Sequence, residues 1–273
     1  MKKNKSLLLS GPYILWMLVF TLIPLGVVGY YALTDPETGV FTWKNIRDLW
    51  LFLPTLGISV WYSLVSALIC LLLGYPVAYF IAHRSATVQK LLYMLVMLPM
   101  CMSFLLRTLA WVGLLETNGI INRLLSAVGI GAQTMIGTPG AVILGMVYNY
   151  LPYMILPLYA IIVKIDRRLI EAAEDLGCTP VKVFSKVVLP LSMPGILSGI
   201  TMVFVPAVST FYISQKLGGT ETMLIGDVIE RQFKSAGNPN LGAALSLVLM
   251  LLVFVCTGIM NRFGSDEEGG VVV

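Results

Sequence analysis

Long apolar stretches separated by short polar ones dominate this chain. Six of them are long enough to cross a bilayer, for which about 20 helical residues suffice. They run over residues 7–33, 59–82, 91–115, 140–163, 187–213 and 241–260. Barrel strands would show as short alternating segments. These runs are unbroken, so the pattern predicts an all-α integral membrane protein with about six transmembrane helices in one domain. The first run follows Lys2, Lys3 and Lys5 in the manner of a secretory leader. It is much longer than the usual leader core of about 7–15 residues and lacks a small-x-small cleavage site, so it is expected to stay as the first helix.

Composition agrees. The chain has 273 residues, 58% hydrophobic and 12% charged, with a mean hydropathy of +0.87. Soluble domains carry roughly a quarter charged residues, so the natural solvent here is lipid, in which helices satisfy their own backbone groups. The net charge of +4 comes from scattered basic residues rather than a patch, which argues against a nucleic-acid partner. Four dispersed cysteines and a single histidine, His83, give neither a disulfide framework nor a metal knuckle.

The basic residues follow membrane sidedness. With the N-terminus inside, inner segments hold eleven Lys and Arg and outer segments six, with Arg107 left inside the third span. Both termini are expected to be cytoplasmic. His83 beside Arg84 reads as an inner-face anchor.

The longest inner polar segment, 164–186, has its own design. Asp166 suits a helix N-cap and Gly177 a left-handed stop, with Thr179 and Pro180 opening a second helix. Leu169, Ile170, Ala172, Ala173 and Leu176 share one side of the first helix, while Glu171, Glu174 and Asp175 share the other. An apolar face on a polar loop must bury against something. A helix lying on the bilayer would usually show Lys and Arg to the headgroups; this polar face is acidic, which favours docking to protein.

The segment resembles a known motif. Glu171-Ala172-Ala173, then Gly177 four residues on, then Leu189-Pro190, match the EAA loop of ABC importer permeases, with Val187 where isoleucine is usual. The resemblance implies the type I permease fold, with Glu171, Ala172, Ala173, Leu176, Gly177 and Pro190 coupling the spans to a cytoplasmic ATPase. Gly74-Tyr75-Pro76, Leu105 to Thr108, Leu156 to Tyr159, Leu189 to Gly195, Phe211 to Ser214 and Leu224 to Gly226 are similar to the spermidine/putrescine permease branch, in particular its first permease subunit. That likeness implies four kinds of partner: a second permease, two ATPase subunits carrying ATP and magnesium, an extracytoplasmic substrate-binding protein, and membrane lipid. It implies a bacterial inner-membrane location and no cofactor or metal on this chain. No phosphate loop of the Gly-x4-Gly-Lys-Ser/Thr type is present, so an importer would take its energy from another polypeptide. Relatives of this branch carry other small solutes.

A polyamine path calls for carboxylates and aromatic faces. Candidates are Trp111 and Glu116 at the outer end of the third span, Tyr148, Tyr150 and Tyr153 in the fourth, Phe211 and Tyr212 closing the fifth, and Asp227 and Glu230 beyond it. Aromatic residues near span ends also serve as interfacial belts, and outer carboxylates also serve simply as solvated groups. Arg107, about 24 Å along its helix, is expected to pair with Glu116 or with the partner permease. Pro152, Pro157, Pro190, Pro194 and Pro206 either are tolerated because neighbours satisfy the freed carbonyls or bend the helices around a cavity. An ion-coupled carrier would show paired mid-membrane charges and inverted repeats, and a membrane-embedded enzyme clustered His, Asp or Glu. Neither pattern is visible.

Overall fold

The computed structural model describes residues 12–36, 38–219 and 222–268. Lys2, Lys3, Lys5 and the first residues of the first predicted span lie outside the described residues. The chain forms α1 (Pro12–Ala32), α2 (Leu53–Ala82), α3 (Ala86–Met97), α4 (Phe104–Leu115), α5 (Ile120–Ala127) and α6 (Pro139–Ile162). Then come α7 (Arg167–Asp175), α8 (Pro180–Leu191), α9 (Met193–Val208), α10 (Tyr212–Leu217), α11 (Ile225–Lys234) and α12 (Pro239–Glu268). Among the described residues five helical segments are long and apolar enough to span a membrane, or six if the bent pair α8–α9 is one crossing.

Two predicted spans are not single helices. Within residues 91–115, α3 stops at Met97, Leu98–Cys101 form a 3-10 turn, Met102 is extended and Ser103 starts α4. Pro99 in that turn has no N–H to continue an α-helical ladder. The fifth run bends by 64° between Leu191 and Met193. Pro194 cannot donate to the Pro190 carbonyl and its ring crowds that turn. Ser192 pins the bend: its hydroxyl donates to the Leu189 carbonyl (2.9 Å) and accepts from the Tyr75 hydroxyl (2.8 Å).

The backbone groups into two compact units. One holds the chain up to Pro54 with Val228–Leu252; the other holds Thr55–Asp227 with the chain from Val253. In the first, Ala32, Ala243 and Ala244 form a small core joined by Val28, Leu49 and Leu247. Small residues let the backbones come close, and two amides use that proximity. Asn45 Nδ2 donates to the carbonyls of Ala32 (3.2 Å) and Thr34 (2.8 Å), and Asn240 Nδ2 donates to the Thr34 carbonyl (2.6 Å).

The second unit is built on α6. Met146, Met154 and Leu158 are fully enclosed along one of its faces, and α9 is its principal partner. Gly195 and Gly199 stand four residues apart on α9. A Cβ on Gly199 would lie 2.6 Å from Met154 Sδ, and one on Gly195 would lie 3.1 Å from the Pro157 carbonyl oxygen. This is the small-xxx-small packing of membrane helices, in which missing side chains bring backbones together where no hydrophobic force separates helix from lipid.

Candidate functional site

Two regions gather the predicted functional residues. The first is α7. Its N-cap is Asp166, whose carboxylate accepts the Arg168 N–H at 3.0 Å. Its far end closes with Gly177 N–H donating to the Glu174 carbonyl (2.8 Å) and Cys178 N–H to the Ala173 carbonyl (3.1 Å). Those two bonds form a Schellman motif, which requires a left-handed residue; Gly177 has φ +79°. Thr179 and Pro180 then open α8 as N-cap and first residue.

No residue of α7 is buried. Leu169 is 49% exposed and Leu176, just past its end, 86%. Glu171 pairs with Arg167 at 3.2 Å on the outside of the helix, Ala172 is exposed and Ala173 half-buried. A Cβ on Gly177 would meet nothing within 4 Å. The apolar face predicted from the sequence is therefore present and mostly open, with Leu169, Ala172 and Leu176 exposed and Ile170 and Ala173 half-buried, and with open space at its glycine stop. Pro190 is exposed near the end of α8.

The second region is aromatic and lies on α4, α6 and α10. Trp111 meets Tyr148 edge to face, ring centroids 5.3 Å apart. Tyr212 lies 6.3 Å from Phe104, and Tyr153 lies 6.3 Å from Tyr150. Tyr148, Tyr153 and Phe211 keep between 37% and 41% of their surface open, while Tyr150 is buried with its hydroxyl donating to the Pro206 carbonyl at 3.3 Å. The Lys216 ammonium already stands 5.8 Å from the Tyr212 ring, within the roughly 6 Å reach of a cation–π contact. Neither Phe104 nor Lys216 was among the predicted site residues. The spacing of Tyr212 and Lys216, four apart on a helix, is a signal that finds the second; nothing in the sequence singles out Phe104.

The predicted acids differ in placement. Glu116 is exposed at the end of α4, its backbone carbonyl accepting from Gly119 N–H (2.7 Å) and Asn122 Nδ2 (3.1 Å). Asp227 is turned inward: it is buried and its carboxylate accepts the Leu224 N–H at 2.9 Å, while the neighbouring Ile225 N–H donates to Ser59 Oγ at 2.8 Å. Glu230 pairs with Lys234 at 2.6 Å.

Arg107 does not pair with Glu116. Nine residues further along a straight helix is a rise of about 13 Å, beyond the reach of the side chains, and no Arg107 ion pair is found among the described residues. The side chain is buried, with Nε and Nη1 enclosed and without a hydrogen-bond acceptor.

Comparisons with known proteins bear on both regions. The sequence profile of the binding-protein-dependent transport system inner membrane component family matches residues 71–266, which includes all of α7 and the aromatic region. The spermidine/putrescine transport system permease protein PotB of Escherichia coli (strain K12) is 37% identical over 247 residues, covering 87% of this chain and 90% of that protein. Its counterpart from Haemophilus influenzae is 40% identical over 255 residues, covering 88% of each. Among solved structures, a chain of a bacterial ABC transporter involved in the import of the acidic polysaccharide alginate superposes with a TM-score of 0.81 at 18% identity, over 97% of this chain and 99% of that one. At that identity the likeness shows the fold alone.

Proposed function

We infer the function of this chain from one premise: it belongs to the family of binding-protein-dependent transport system inner membrane components. It is a transmembrane permease subunit of an ABC-type importer with the type I permease fold, and its cargo is a polyamine of the spermidine/putrescine class. The observation that carries the cargo is the 37–40% identity with spermidine/putrescine permeases over most of both chains. The exposed aromatic faces of Tyr148, Tyr153 and Phe211, and the ammonium already resting by Tyr212, suit a flexible polycation.

The chain works without covalent chemistry. It forms the translocation path with a second permease, takes substrate from an extracytoplasmic binding protein, and is driven by two separate ATPase subunits that bind ATP and magnesium. α7 is the segment those subunits move. Three features support that role: its mostly open apolar face, its acidic outer face, and the stop at Gly177 that fixes its exit into α8. Both termini lie in the cytoplasm, as the eleven-to-six distribution of Lys and Arg favours. Substrate contacts in the path are few and weak, because a solute held equally tightly in both access states would not be released.

The test is uptake. In cells without other polyamine routes, deleting this subunit should abolish high-affinity uptake of radiolabelled spermidine or putrescine, and the intact gene should restore it. Unchanged polyamine uptake with loss of uptake of a sugar or an anion would keep the importer and remove the polyamine.

A further inference from the structure

A pocket lies where α2 and α6 stop and α7 begins. Three basic side chains, His83, Arg84 and Arg167, stand on it, and Ile162, Ile170 and Val188 give it an apolar wall. Each is anchored on one side and keeps polar atoms on the other, donors on the two arginines and an acceptor on His83. His83 Nδ1 lies 2.8 Å from the Tyr79 carbonyl; a carbonyl only accepts, so Nδ1 carries the proton and Nε2 is left over. The Arg84 guanidinium sits 4.0 Å from the centre of the Phe80 ring, which holds its plane and leaves its N–H edge available. Arg167 gives Nε to Glu171 and keeps its terminal nitrogens. The nearby Asp166 carboxylate is engaged by the Arg168 N–H. Arg84 has no ion pair among the described residues, so its guanidinium stands beside an apolar surface with no carboxylate bound to it.

The level of the pocket narrows the ligand. α2 and α6 are both long enough to span a bilayer, and Ala82 and Ile162 are their last residues. Helix ends of this kind lie at the depth of the lipid headgroups. Phe80, one turn before, is 50% exposed, as a lipid-facing side chain would be. A freely diffusing phosphate would use the cations and gain nothing from the isoleucine and valine wall, whereas a phospholipid uses both. Basic pockets between membrane helices on the cytoplasmic side are suited to anionic headgroups.

We propose that this pocket holds the headgroup phosphate of an anionic phospholipid, with the base of its acyl chains against the apolar wall. The bound lipid joins the end of α2, through Arg84, to the start of α7, through Arg167. Bilayer charge thereby sets how firmly α7 is held against the spans. The inference rests on the membrane placement of α2 and α6, and it is independent of which solute is carried.

The test uses the assembled importer in nanodiscs of phosphatidylcholine, alone or mixed with phosphatidylglycerol, with the phosphatidylglycerol retained after extraction counted by native mass spectrometry. The wild-type complex should retain it. Arg84→Gln and Arg167→Gln should each weaken retention about fivefold, the effect of one basic group near an anionic leaflet, and Arg84→Lys, which keeps the charge, should restore most of it. Inorganic phosphate should not displace the lipid. Binding-protein-stimulated ATP hydrolysis should be lower in phosphatidylcholine alone. Undiminished retention by the doubly substituted complex would overturn the proposal, as would displacement by inorganic phosphate. So would loss of the ATPase subunits with lipid retention unchanged, since this face would then belong to a protein partner. Spermidine uptake, measured separately, reports on the transport assignment.

Discussion

α6 and α7 are neighbours in the chain and opposites in environment. Along α6, Met146, Met154 and Leu158 are sealed from solvent, and α9 approaches so closely that a Cβ at Gly195 or Gly199 would crowd its neighbours. Along α7 nothing is buried, although its apolar side is as well defined as any in the molecule. The glycines express the same contrast. Gly199 is favoured by a neighbour, Met154, whereas Gly177 is favoured by its own backbone and has empty space where a side chain would go. A helix whose local geometry is fully specified and whose apolar face is mostly open suits the docking role proposed for it. α6 holds its own unit together; α7 is the segment proposed above to connect the chain to the subunits that drive it.

Substitutions at the two glycines should separate these roles, and the largest effect belongs to α6. Gly199→Val places a branched side chain where a Cβ alone would come 2.6 Å from Met154 Sδ. Overpacking of this kind destabilises by roughly 1–3 kcal/mol, and by more where backbones touch. The expected result is a severalfold lower membrane level of this chain and a lower thermal midpoint in detergent, with transport lost in proportion. A Gly199→Val protein of normal level and stability would mean that α6 and α9 are less tightly paired than described.

Next in size are Gly177→Asp and Ala173→Arg. Positive φ adds about 1 kcal/mol of strain at the first, too little to remove the chain from the membrane. The second puts a charge on the apolar face, which an interface would leave buried and unpaired. Both proteins should insert at normal levels, while spermidine uptake and binding-protein-stimulated ATP hydrolysis fall together by about tenfold or more. Lys182→Ala, beyond the turn, should leave both activities near normal. Normal transport by Gly177→Asp would reduce α7 to an ordinary surface helix.

Smaller effects are expected in the aromatic region. Removing an aromatic face from a cation costs about 1 kcal/mol, so Trp111→Ala and Tyr148→Ala should each raise the uptake KM for spermidine about fivefold while membrane levels stay unchanged. The smallest change is expected from Lys216→Gln. It removes the cation resting by Tyr212 and should lower KM about twofold if that ring receives substrate. A rise in KM would assign Lys216 to holding the site in shape.

The same contrast explains what could be read from the sequence. α7 was legible down to its caps because Asp166, Gly177, Thr179 and Pro180 act through local backbone chemistry, which sequence spacing encodes. The apolar runs were legible because membrane length is a composition signal. The interruption at Leu98–Ser103 was not, since the run is equally apolar on both sides and only Pro99 and Ser103 mark the break. The bend at Ser192 depends on Tyr75, 117 residues away in sequence, a contact that no local pattern reports. Arg107 was expected beside Glu116 because both sit on one run, but their separation along the helix rules the pair out. The candidate path was legible as residue types at span ends and not as an arrangement. Trp111 and Tyr148 meet across two helices, and Asp227 is folded into the start of α11.

The central claim is that α7 is where the energy-supplying subunits grip this permease. Its most direct test is site-specific cross-linking from Leu169→Cys, on the exposed apolar face, in a background whose four native cysteines are replaced. In inside-out vesicles holding the whole importer, a short bifunctional thiol reagent should join this chain to a cysteine-bearing ATPase subunit, and the yield should change on adding ATP. Failure to cross-link in complexes that still transport, or labelling of Leu169→Cys by an impermeant reagent from the outer side of intact cells, would contradict the account.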